Sequence, residues 1–165
     1  MAVLGKAIVG VAGLGLVGVG YAGVAGQDDS TRDNTGAVVE GGQVGALRIR
    51  TGDCMGDIPG STFESVDAVP CAQPHKYEVF AAFNLPFDNS AAFPGEESIA
   101  TLADDGCANR FAGFVGLAYE QSIYLYGMTY PTAGTWEEVD DREVLCLISN
   151  YDGTSKLGTA RDSRQ

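Results

Sequence analysis

The chain has 165 residues and a formal net charge of -12, with 22 acidic residues against 10 lysines and arginines. A protein so acidic repels phosphate backbones, which sets nucleic acid aside as a partner. Length suits one folded domain beside an apolar N-terminal stretch.

That stretch comes first. Residues 7–26, AIVGVAGLGLVGVGYAGVAG, carry no charge and lie between Lys6 and the pair Asp28/Asp29. About twenty apolar residues is what a helix needs to cross a bilayer, so residues 1–26 are expected to form a single transmembrane anchor whose partner is the lipid bilayer. Lysine before and aspartates after place the N-terminus in the cytoplasm and everything beyond residue 26 outside, as a single-pass protein of the cell membrane. Gly18, Ala22 and Gly26 fall four apart, a spacing that lets helices approach closely in lipid. A cleaved signal peptide is the other reading, because Val24, Ala25 and Gly26 put small residues before Gln27. The run exceeds an ordinary signal core, which favours the retained anchor. Both readings export the domain.

Residues 27–45 are polar and glycine-rich and read as a flexible linker. The folded domain is expected over residues 46–153, opening with an alternating strand at 47–50, LRIR. Gly56, Pro59 and Gly60 mark a turn-rich stretch before a second strand at 65–71. Residues 77–85, YEVFAAFNL, are apolar on both faces and bounded by Pro74 and Pro86, as a central strand would be. Phe93-Pro94-Gly95-Glu96-Glu97 opens a helix, with carboxylates in the turn that complements the dipole. Ile99, Ala103, Cys107, Phe111 and Val115 recur every four residues, joined by Leu102 and Phe114, and Gly116 suits the helix end. Strands follow at 122–130 and 142–149, the second with Val144, Cys146 and Ile148 on one face and Leu145 and Leu147 on the other. Residues 154–165 show no periodicity and are expected to be disordered. The fold class is α+β: an antiparallel sheet of four to five strands packed by one main helix, with two disulfides.

Cys54, Cys71, Cys107 and Cys146 are an even set in an exported segment, where thiols oxidise. Of three connectivities, Cys54 with Cys71 and Cys107 with Cys146 is preferred, because Cys107 faces inward on its helix and Cys146 shares a strand face with core aliphatics. No CxxC pair exists and His75 is the lone histidine, so zinc spacing is missing. The acidic turn at 137–143 lacks the DxDxDG spacing of a calcium loop. No metal or cofactor is expected. His75, with Glu78 three residues on and Asp67 nearby, invites a hydrolase reading, yet no GxSxG nucleophile accompanies it. Trp136 reads as a buried anchor at one end of the sheet, with a partner-binding hot spot as the alternative.

Gly52-Asp53-Cys54, then VPCAQPHKYEVF at 69–80, FPGE at 93–96, the helix with Cys107, Pro131-Thr132 with Trp136, and DREVLC at 141–146 together resemble the actinobacterial septum formation family. The similarity spans residues 52–158, and its most specific piece is the C-x-x-P-H-x-x-E-V string from Cys71 to Val79. Where the family commonly has a Gly-Asp-Arg turn, Asp140 stands before Asp141-Arg142. The resemblance implies a membrane-tethered, extracytoplasmic domain without catalytic residues, in which His75, Glu78, Trp136 and Arg142 are structural or partner-binding and His75 and Glu78 pair with each other. The function expected is a non-enzymatic interaction module, a partner or scaffold in envelope or septum complexes, with a membrane or envelope protein as partner. The alternatives are an accessory subunit of another membrane assembly, such as a respiratory complex, and a hydrolase using His75.

Overall fold

The computed structural model describes residues 27–58, 60 and 63–165. The anchor expected at 1–26 lies outside the described residues. Among the described residues no helix is long and apolar enough to cross a membrane.

The apolar run expected to be central is central. It forms β6 (Tyr77–Asn84), the longest strand of the sheet together with β8 (Glu143–Asn150), and lies between β4 (Cys54–Met55) and β8. Adding β3 (Gly42–Gly45), β5 (Ser65–Val69) and β7 (Tyr124–Thr129) gives the order β3-β5-β4-β6-β8-β7, antiparallel throughout. The sheet therefore has six strands where four or five were expected. β1 (Thr31–Arg32) and β2 (Val38–Glu40) form a separate two-stranded ribbon.

On one face lies α1 (Glu96–Val115), entered after Gly95 and closed by Gly116 at φ 79°, whose N–H donates to Ala112 O at 2.9 Å. A left-handed closing residue is where glycine lacks the Cβ penalty of other residues. The expected stripe is the buried stripe: Ile99, Ala103, Cys107, Phe111 and Val115 are all sealed, with Phe114 beside them. Phe111 meets Phe80 of β6 edge-on at 6.0 Å, and burying such a side chain contributes about 1.5–3 kcal/mol. Cys107 is bonded to Cys146 of β8 through this core, and Cys54 to Cys71. On the opposite face Leu145 and Leu147 join Val79, Met55, Val66 and Val44 in a second core.

That second core explains why residues 27–45 are not a tether. Val38 and Val44 are buried in it, and Arg32 is held between Asp28 and Asp53 at 2.7 and 2.6 Å. Residues 27–29 run along β3, where a Cβ on Gly42 would stand 2.5 Å from Asp29 O, so only glycine admits that approach. The alternating LRIR segment is likewise no strand. Ala46–Arg48 is a 3-10 turn that drops Ile49 into the same core.

The tail is also ordered by what it touches. Residues 156 and 75 form an antiparallel bridge, Gly158 N–H donates to Cys71 O at 2.7 Å, and Ala160 is fully buried. Farther on, Asp162 and Arg164 N–H donate to Phe114 O and Val115 O at 2.8 and 2.9 Å. Those are carbonyls that the end of α1 would leave orphaned.

Candidate functional site

Glu78 sits mid-sheet on β6 and is 2% exposed, which is unfavourable for a carboxylate unless it is paired. The pairing comes from the tail. Its Oε2 accepts from Lys156 Nζ at 2.5 Å and from Ala160 N–H at 2.8 Å, and Oε1 accepts from Thr159 Oγ1. Lys156, 8% exposed, also donates to Gly158 O at 3.0 Å. Burial holds the Lys156 ammonium below its usual range, against the Glu78 carboxylate that favours the charge.

The expected His75–Glu78 pair is therefore replaced by Glu78–Lys156. His75, 1% exposed, turns Nδ1 to Gln73 O at 2.8 Å. A carbonyl only accepts, so Nδ1 carries the proton and Nε2 is left as a buried acceptor without a partner in the protein. Burial, aided by the Lys156 charge, keeps His75 below its ordinary pKa, and Gln73 O and Glu78 oppose this. Cys54, His75 and Glu78 bring their ligand atoms within 4.8 Å of one another. With Cys54 in a disulfide and Glu78 neutralised by Lys156, what the cluster offers a metal is one imidazole lone pair.

A second buried cluster closes the far end of the sheet. α2 (Ala133–Glu138) starts at Thr132, whose Oγ1 accepts from Thr135 N–H while Thr135 Oγ1 accepts from Thr132 N–H. It carries Trp136 inward, 1% exposed, with Nε1 donating to Ala91 O at 2.7 Å. Phe87 and Phe93 meet its ring edge-on, and the Arg142 guanidinium lies 3.5 Å from the ring centroid. Arg142 is buried, and its terminal nitrogens donate to Trp136 O, Asp141 O and Asn89 O at 2.8–3.0 Å, with Asp88 O more distant. Trp136 and Arg142 thus belong to one packed unit that ties α2 to the loop after β6. The hot-spot reading of Trp136 does not fit a sealed indole.

The acidic turn is only partly solvated. Asp141 accepts from Glu143 N–H at 3.0 Å, and burial pushes its pKa up despite Arg142. Asp140 occupies the left-handed region at φ 53°, the conformation a glycine would take without strain. Asp140, Asp141 and Glu143 border a cleft of about 390 Å³ with Asn84, Asn89 and Tyr130.

Sequence reasoning missed Lys156 and Thr159. The signal was present in Glu78: a carboxylate in a strand apolar on both faces needs a cation, and residues 154–165 carry three.

The family model for septum formation matches residues 24–164. Among curated proteins, an uncharacterized membrane protein of Mycobacterium tuberculosis is 26% identical over 110 residues, with the same values in two strains. The match covers 62% of this chain and 24% of the relative, so the chain spans about a quarter of the length of the curated proteins it matches. No solved structure matches the chain.

Proposed function

The chain belongs to the septum formation family, and from that premise we propose that it is a membrane-tethered, extracytoplasmic, non-enzymatic interaction module, a partner or scaffold in envelope or septum complexes. The observation that carries this reading is how the polar groups singled out for chemistry are committed. Glu78 is bound to Lys156, Thr159 and Ala160, His75 Nδ1 to Gln73, and all four cysteines to one another. What they hold together is the tail, the helix and the sheet. Two disulfides support an oxidising, exported location. The relatives' description as membrane proteins, and the apolar run before Gln27, support the tether.

Co-purification of the full chain from mild detergent tests the function, with a reproducible envelope or division protein as the expected partner. A respiratory subunit in that place would make the chain an accessory subunit of that assembly. Protease added to intact spheroplasts should digest the domain, and protection until lysis would overturn the topology. A measured hydrolase activity lost in His75→Ala with unchanged folding would overturn the non-enzymatic reading.

A further inference from the structure

The two edges of the sheet are treated differently. β3 is covered on its outer side: Asp28 bridges to Val44, and Asp29 and Gly45 N–H donate to Gln43 O and Gln27 O at 2.9 and 2.7 Å respectively. β7, at the other end, has no strand on its outer side among the described residues. Its ladder to β8 runs from Tyr124 to Thr129 without a register shift. Tyr151 N–H donates to Ile123 O at 2.9 Å, which makes 123 and 151 a hydrogen-bonded pair. Such pairs alternate along an antiparallel ladder, so Leu125, Gly127 and Thr129 spend their main-chain groups on β8. Tyr124, Tyr126 and Met128 turn theirs outward. Ser122 Oγ takes the Tyr124 N–H at 3.1 Å and donates to Gln165 O at 2.6 Å, so Gln165 occupies the head of this edge, and the Tyr126 and Met128 amides, on residues 8% and 4% exposed, are the ones left for an added strand.

Proteins guard an exposed edge with charge, proline or a bulge. β7 reads YLYGMT and has none of these. At its head Ile123 is 53% and Tyr151 74% exposed, and the two line an open hollow of about 460 Å³ that Asp152 shares. On the α1 side, Glu96, Glu97 and Asp104 line another of about 660 Å³ with Tyr130. At the foot of the strand lies the cleft of Asp140, Asp141 and Glu143, whose Arg142 spends its terminal nitrogens on carbonyls.

The geometry points to β7 as a docking edge for an extended, basic segment of a partner protein, paired through the Tyr126 and Met128 main chain and seating an apolar residue on Ile123 and Tyr151. This rests on the reading of the domain as an interaction module. Main-chain bonds would set the register, while lysines or arginines opposite the carboxylates would set the choice of partner. A second copy is the poorer occupant, because it brings another charge of -12 to the same edge.

The full chain in mild detergent, titrated with a short peptide of alternating lysine and valine, tests this by amide hydrogen exchange. Exchange should slow at Tyr126 and Met128. The double variant Ile123→Lys/Tyr151→Lys should weaken the effect about tenfold or more, because like charges then face each other, and should melt as the wild type does. A glutamate and valine peptide should have no effect. Protection that maps away from β7, or equal binding of the glutamate peptide, would overturn the inference. Protection of the same amides that rises with protein concentration alone would assign the edge to a second copy and also overturn it. An envelope partner that still co-purifies with the double variant would overturn the docking edge and leave the module reading standing. A wild-type chain with no partner at all would remove both.

Discussion

Glu78→Gln keeps the shape of the side chain and removes the charge opposite Lys156. The carboxylate is 2% exposed and accepts from Lys156, Thr159 and Ala160. Removing one partner of a buried ion pair costs about 3–5 kcal/mol. Lys156 limits the loss, because burial already holds its pKa down and it can shed its proton once the carboxylate is gone. The low end therefore applies at neutral pH, roughly 3 kcal/mol, or about 10 °C of melting temperature for a domain of this size. The pH dependence has a definite sign. A lysine whose folded pKa is depressed contributes stability that is lost as pH falls through that value, so the deficit of Glu78→Gln should shrink as pH is raised toward 10.5. Near-ultraviolet circular dichroism of the full chain in mild detergent reads the melt. Trypsin reads the tail, and cleavage after Arg161 and Arg164 should be fast in the variant and slow in the wild type. Adding Lys156→Met to Glu78→Gln should restore part of the stability, because it removes the stranded cation. If Glu78→Gln melts with the wild type and its tail resists trypsin equally, the tail is held by main-chain bonds alone and the reasoning fails.

Cys146→Ser should melt lower than Cys54→Ser, since the loops closed span 39 and 17 residues and contribute about 4 and about 3 kcal/mol on a loop-entropy model; the reverse order would mean packing alone holds α1 to the sheet. Asp140→Gly should be between neutral and about 1 kcal/mol more stable in urea unfolding, because it relieves the left-handed strain at φ 53° at some cost in glycine entropy. Asp140→Val should be the less stable of the two, and a clear loss in the glycine variant would contradict the strain. His75 is held below its ordinary 6.5 chiefly by burial, so the unfolded imidazole takes up a proton that the folded one refuses, and stability should fall as pH drops below 6.5. Urea midpoints at neutral and mildly acidic pH should differ less in His75→Asn than in the wild type, and equal differences would remove His75 from the acid response.

Elements whose signal repeats locally are legible along the chain. The four-residue stripe of α1, the two-sided apolar run of β6 and the alternation of β8 each state which way their side chains face. Those directions alone bring Cys107 and Cys146 to the same interface, where they are bonded. Tertiary structure decided the segments at either end. Residues 27–45 have too little hydrophobicity to declare a strand, and β3 exists because β5 and residues 27–29 take its main-chain bonds while Val44 fills a core built elsewhere. The tail has no periodicity because it is held by donors at residues 156, 159 and 160 converging on one carboxylate about 80 positions earlier. A pattern along the chain reports which face of an element is apolar. A single buried charge reports only that it needs a partner, and which residue supplies it depends on contacts that form when the chain closes.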